Sequence, residues 1–186
     1  MPESFRKMYH STTYSSPVGI LTLACAGDNL VGLWMEGQKY YGDTIPEALM
    51  PKDNIPVFHA AKKWLDQYFA GKNPAITKLP LTPIGGKFRQ GVWKILRAIP
   101  YGKVITYGDI AKKMATQPGR SAMSAQAVGG AVGHNPISII IPCHRVVGAN
   151  GSLTGFSGGL AIKIKLLELE GVDMSGLFVP KKGTAL

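Results

Sequence analysis

Cys143, His144 and Arg145 put a thiol, an imidazole and a guanidinium in succession, directly after Pro142. The thiolate is the nucleophilic form of cysteine, and cationic neighbours lower its pKa below the free value of about 8.5. The triplet is therefore expected to make Cys143 a sulfur nucleophile rather than the small buried hydrophobe that a lone cysteine usually is. The other cysteine, Cys25, is expected to take no part. One disulfide between them is conceivable, but a chain of 186 residues with 45% hydrophobic composition folds without one, so both are read as free thiols in a reducing compartment. His10, His59, His134 and His144 show no zinc-ligand spacing, so neither a metal nor a cofactor is expected.

Neighbours in an extended chain point to opposite sides, so His144 cannot simply lie against Cys143. Either the backbone turns after Pro142 or the imidazole reaches the sulfur through a water. In both cases an acid must hold the other ring nitrogen. Acids are scarce beyond residue 86: Asp109, Glu168, Glu170 and Asp173. A helix Leu160–Glu170, entered through Gly158-Gly159 and ended by Gly171, carries two of them, and spacing does not choose between Glu168 and Glu170.

The elements that must position these groups follow from periodicity. Ile137–Ile141 is an apolar run broken only by Ser138 and reads as a buried strand halted by Pro142. Near the start, Met8–Tyr14, Gly19–Cys25 and Leu30–Met35 have strand composition with turn residues between them, as in a small antiparallel meander. A helix follows, with Asn54 as N-cap, Pro56 in its first turn and Val57, Ala61, Trp64, Leu65 and Tyr68 on one face up to Gly71. The Pro/Gly-rich stretch 78–86 has no periodicity and is expected to hold a linker, residues 81–86, between domains 1–80 and 87–186. Phe88, Val92, Ile95, Leu96 and Ile99 then form a helical stripe stopped by Pro100. Thr106 can cap a helix Tyr107–Met114, and Ser124 another, Ala125–Gly133, which together resemble a helix-turn-helix. The expected fold is an α/β first domain, with a small antiparallel sheet and a helix, followed by a mostly α, winged-helix-like second domain.

Charge points to the partner. Residues 1–86 hold eight Lys/Arg against seven Asp/Glu, whereas residues 87–145 hold nine against Asp109 alone. A merely solvated surface would mix signs, as the first half does, so a polyanion such as nucleic acid is the expected partner of the second. The helix there contains Gly129, Gly130 and Gly133, each costing about 1 kcal/mol against alanine. Its bare face implies either close packing on another helix or close approach to DNA. No run of 18 apolar residues and no h-region within Met1–Ser11 is present, so a cytoplasmic, non-membrane protein is expected.

IPCHRVVG (141–148) resembles the active-site signature of the O6-alkylguanine-DNA alkyltransferases, or methylated-DNA–protein-cysteine methyltransferases. VITYGDIA (104–111), AVGGAVGHNP (127–136), GFSGGLAIK (155–163) and LLELEG (166–171) fit that family in order and spacing, and the first half fits in outline, as a ribonuclease-H-like domain. The resemblance implies a single-turnover enzyme, in effect a stoichiometric reagent, that transfers the alkyl group of O6-alkylguanine to Cys143 and keeps it. His144 would deprotonate the thiol through a water while Glu170 orients the imidazole. Tyr107 would serve N3 of the leaving guanine, Ser157 would sit near O6, and the carbonyls of Cys143 and Val146 would read the exocyclic amine. Asn135 would tie the helix-turn-helix to the active-site strand.

The implied partner is double-stranded DNA, bound by a monomer whose small-residue helix enters the minor groove and flips the base. Gln126, Ala127 and Gly130 would meet the duplex, and Arg89, Lys103, Lys112 and Arg120 its phosphates. Two residues depart from the family pattern: Gln126 stands where an arginine commonly fills the space of the flipped base, and Phe156 where a pocket tyrosine is usual. The alternative, a sensor of alkylated DNA without chemistry, belongs to relatives whose acceptor cysteine is replaced, and here it is present.

Overall fold

The computed structural model describes residues 6–119 and 123–181. Strands β1 (Tyr9–Ser16), β2 (Gly19–Ala26) and β3 (Asn29–Met35) form the expected antiparallel meander, with Tyr9 opposite Ala26 and Leu21 opposite Met35. A three-residue strand, β4 (Leu49–Pro51), adds parallel to β1, giving a mixed sheet of order β3-β2-β1-β4. Its brevity hides it from any periodicity argument. Gly32 lacks a side chain because the Trp34 ring lies where its Cβ would be.

Helix α1 (Pro56–Phe69) lays Val57, Phe58, Ala61, Trp64, Leu65 and Tyr68 into the core. Its N-cap is Ile55 rather than Asn54, whose side chain instead meets His59 Nε2 at 2.9 Å. The helix still starts here because Pro56 has φ preset for the first turn and no N–H to satisfy. The Pro/Gly-rich segment that follows is held against β3: Leu30 donates to the Pro80 carbonyl and receives from Thr82 N, at 2.8 and 2.9 Å.

The remaining elements are α2 (Lys87–Arg97), β5 (Ile105–Thr106), α3 (Tyr107–Ala115), α4 (Ala125–Gly133), β6 (Val146–Val147) and α5 (Leu160–Leu169). Thr106 and Asp109 make a reciprocal capping box on α3, and Ser124 caps α4 through Ala127 N. Parallel pairing of β5 with β6 ties the entry of α3 to the chain leaving the Cys-His-Arg turn. One apolar cluster runs from Leu21 and Leu33 through Phe58 and Leu65 to Val92, Ile110, Val128 and Ile141.

Ile137–Ile141 is not a strand. Ile137 makes a single bridge to Leu33, after which the chain turns tightly, with Ile139 at φ 70° and Ile140 N and Ile141 N bonding back to Ser138 and Ile137 carbonyls. A β-branched residue at positive φ is strained. All four isoleucines are buried, and that burial holds the turn. A short apolar run reports burial without distinguishing a strand from a buried turn.

Candidate active site

Cys143, His144 and Arg145 form one turn of 3-10 helix, so the backbone does turn after Pro142. With three residues per turn the side chains diverge by about 120°, and each enters a different environment. Asn135 holds the preceding turn open from inside: its amide donates to the Ile141 carbonyl at 2.8 Å and to that of Ile137 at 3.4 Å, and its carbonyl accepts from Ile137 N. These are the backbone groups a strand ladder would have satisfied.

Cys143 is 2% exposed. Burial pushes its thiol pKa up, and hydrogen bonds from the Asn135 and Ser138 side chains, with the Lys163 charge, only partly oppose this. The expectation of a thiol activated by adjacent cations is thereby corrected. Its cause is visible in the partners of those neighbours. Arg145 is committed to Glu170, with Nε to Oε2 at 2.8 Å and Nη2 to Oε1 at 3.0 Å, and to the Ile99 carbonyl through Nη1. His144 is neutral, because its burial lowers the imidazole pKa more than Glu170 raises it.

Glu170, the C-cap of α5, is the acid that meets the imidazole; Glu168 is exposed. His144 Nε2 lies 2.6 Å from Glu170 Oε1. Burial alone would raise the Glu170 pKa, but the bonds from His144 and Arg145 outweigh it and hold the carboxyl at about 2. A carboxylate only accepts, so Nε2 carries the imidazole proton and Nδ1 keeps its lone pair. No protein group among the described residues bonds that buried Nδ1. It is a buried proton acceptor on the residue that follows the protonated Cys143 in the chain.

Tyr107, the first residue of α3, is buried, and its hydroxyl lies 3.0 and 2.9 Å from the Thr154 and Gly155 carbonyls. Burial and the nearby Cys143 sulfur raise its pKa, so it stays a proton donor. Ser157 Oγ accepts from Gln38 at 3.3 Å, and its carbonyl accepts from Lys39 N, which brings the chain after β3 to the rim of the site. Phe156 packs partly buried against the core, and a Cβ at Gly158 would come within 2.8 Å of its ring. The Val146 carbonyl accepts from Lys163 Nζ at 2.5 Å, so one of its two lone pairs is already engaged.

Lys163 was not singled out from the sequence. It is fully buried on α5, donates to the Val146 and Thr154 carbonyls, and burial lowers its pKa to about 8 against the pull of Cys143. The signal was available: Lys163 falls on the same helical face as Leu166, Leu167 and Glu170. Gln38 and Tyr68 gave no comparable signal, since each reaches the site from the first half of the chain.

On α4, Val128, Gly129, Ala131 and Val132 are buried while Ala125, Gln126, Ala127 and Gly130 are exposed. A Cβ at Gly130 would meet nothing within 4 Å, and one at Gly133 only the Tyr40 ring at 3.9 Å. Internal packing therefore does not require glycine at either position. Lys103 and Lys112 are exposed and Arg89 half-buried, whereas Arg145 is withdrawn into the site. Arg120 lies outside the described residues. Among those residues no cluster of His, Cys, Asp or Glu could hold a metal ion, and no helix is long and apolar enough to cross a membrane.

Two family descriptions match the chain: the ribonuclease-like domain of 6-O-methylguanine DNA methyltransferase over residues 8–83, and its DNA-binding domain over 87–172. The methylated-DNA–protein-cysteine methyltransferase of Haemophilus influenzae is 41% identical over 160 residues, 86% of this chain and 84% of that protein. Its Mycobacterium bovis counterpart is 45% identical over 163 residues, covering 88% and 93%. The crystal structure of Mycobacterium tuberculosis OGT in complex with DNA superposes with a TM-score of 0.74 at 43% identity, covering 88% of this chain and 92% of that one. The O6-methylguanine-DNA methyltransferase of Pyrococcus kodakaraensis gives 0.61 at 26% identity, covering 89% of this chain and all of that one. The chain thus belongs to the methylated-DNA–protein-cysteine methyltransferases, enzymes that repair DNA by alkyl transfer.

Proposed function

We propose that Cys143 is the alkyl acceptor and that its substrate is O6-alkylguanine in double-stranded DNA, with O4-alkylthymine as a second candidate. The observation that carries this reading is the buried thiol followed in the chain by a buried imidazole whose Nε2 is bound to Glu170 and whose Nδ1 has no partner among the described residues. His144 takes the thiol proton through a water, and the thiolate attacks the alkyl carbon in line with the bond to O6. That C–O bond breaks and its electron pair stays with guanine. Tyr107 supplies a proton toward N3, and the proton taken up by His144 replaces it, so the overall charge is unchanged. The thioether cannot be cleaved by His144 or water, and each molecule acts once.

The site accepts a base only after it leaves the helix stack, at a cost of a few kcal/mol. The exposed Gln126, Ala127 and Gly130 support entry of α4 into the minor groove, with Lys103, Lys112, Arg89 and Arg120 on phosphates. Ser157 and Phe156 then border the base, Cys143 and Val146 offer carbonyls to its exocyclic amine, and Asn135 keeps the acceptor turn in place. We place the protein in the cytoplasm, a reading supported by its two free cysteines, and take it to act as a monomer.

The test is the mass of the peptide containing Cys143 after incubation with O6-methylguanine DNA. A gain of one methyl group is expected; an unchanged peptide from folded protein would overturn the assignment. Benzylguanine DNA run in parallel reports how large a group the Phe156 wall admits.

A further inference from the structure

Tyr68 sits at the centre of the acid–base pair yet comes from α1, in the half of the chain given no part in the chemistry above. Its hydroxyl donates to Glu170 Oε1 at 2.8 Å and lies 3.4 Å from His144 Nε2. The side chain is 1% exposed. Its ring is stacked on Trp64 at 5.3 Å and meets Phe69, Tyr101 and His144 edge-on, so the hydroxyl has a fixed address.

The carboxylate it reaches is crowded with donors. Oε1 receives His144 Nε2, Tyr68 Oη and Arg145 Nη2, while Oε2 receives Arg145 Nε and, at 3.4 Å, Gly102 N. A hydrogen bond to a carboxylate favours its charged form and weakens its hold on any other proton. Tyr68 and His144 share one oxygen, so what the hydroxyl supplies to Oε1 lessens the pull of Oε1 on the imidazole. Glu170 is the anion facing His144, and Arg145, Lys163 and the Tyr68 hydroxyl are the other charged or titratable groups acting on it. Burial and the adjacent carboxylate keep the Tyr68 hydroxyl protonated, and so a constant donor.

We infer that Tyr68 is a positioning residue that fixes the Glu170 carboxylate and tempers its pull on the His144 proton, keeping Nδ1 available as a base at neutral pH. This rests on the reading of Cys143 as acceptor and His144 as its base. It makes the first half of the chain a contributor to the rate of transfer through one hydroxyl.

The experiment uses the full chain with Tyr68→Phe and measures single-turnover methyl transfer from O6-methylguanine duplex DNA across a pH range. Without the hydroxyl, Glu170 holds the imidazolium more firmly, so the acid limb of the rate profile should move up by about half a pH unit or more. DNA affinity should stay within about twofold, and Cys143 should still be alkylated to completion. A 3-fluorotyrosine at position 68, a stronger donor of nearly the same shape, should move the limb down and carries the test should the phenylalanine variant not fold. An NMR titration of the His144 ring in DNA-free protein should show the same displacements, and needs no transfer to be read. Superimposable profiles and titrations would overturn the inference, as would a uniform loss of rate with the limb in place. Absence of alkylation in the unsubstituted protein would instead overturn the assignment of Cys143.

Discussion

At the scale of single residues, the basic side chains that adjoin Cys143 in sequence are committed elsewhere, and the Lys163 charge only partly offsets the burial of the thiol. Arg145 neutralises Glu170 and His144 is neutral, so Cys143 waits as a thiol. Cys143→Ser should abolish transfer and leave DNA binding intact, whereas Cys25→Ala, deep in β2, should leave transfer unchanged; the Cys143 mass assay and a binding titration check both. Glu170→Gln removes the counter-charge of a buried guanidinium, which costs about 3–5 kcal/mol when one partner of a buried pair is lost. Denaturant unfolding should register that loss, together with slower transfer. The same pair sets the acid stability. The Glu170 pKa falls from 4.5 to about 2 on folding, so its stabilisation is full above 4.5 and disappears as pH drops toward 2. His144, with its folded pKa below 6.5, adds a loss that begins as pH falls below 6.5, because the unfolded imidazole takes up the proton first. Unfolding midpoints should therefore decline on acidification in two stages. Cys143, His144 and Arg145 could be picked out by residue type alone, but the direction of the thiol pKa could not, since burial and the commitments of Arg145 are tertiary facts.

At the scale of elements, α4 gives up helix stability for a bare surface. Gly130→Ala should stabilise the fold by up to about 1 kcal/mol, as the new methyl meets nothing, while weakening binding to duplex DNA. A higher melting temperature with unchanged affinity would show that the glycine has another purpose. Thr106→Ala should cost about 1 kcal/mol through loss of the capping box. Helices α2 to α5 were legible because apolar stripes and caps are local signals. The turn at Ile137–Ile141 was not, because Asn135 supplies the bonds that an apolar run would otherwise seek in a strand. Strand β4 was missed for a different reason: three residues carry no period.

At the scale of the whole molecule, basic charge is concentrated beyond residue 86, so DNA affinity should fall steeply with salt, roughly in proportion to the number of phosphates neutralised. Arg145, held by Glu170, should contribute nothing to that slope. The apolar cluster runs unbroken from β2 to α4, and Tyr68 crosses from α1 to Glu170. Thermal unfolding followed by calorimetry should accordingly show one transition rather than two. Charge asymmetry was plain in the sequence, but the joining of the two halves was not, since contacts between distant residues leave no spacing to detect.

The depth of Cys143 also bears on how long an unused molecule lasts. Peroxides attack thiolates, and a protonated sulfur with 2% of its surface exposed offers them little. If Cys143 keeps the alkyl group as proposed, the protein has as much to lose from a stray oxidant as from a repair event. On that reading the cost is a slower first step and the return is shelf life, with the sulfur kept reduced until a base reaches it.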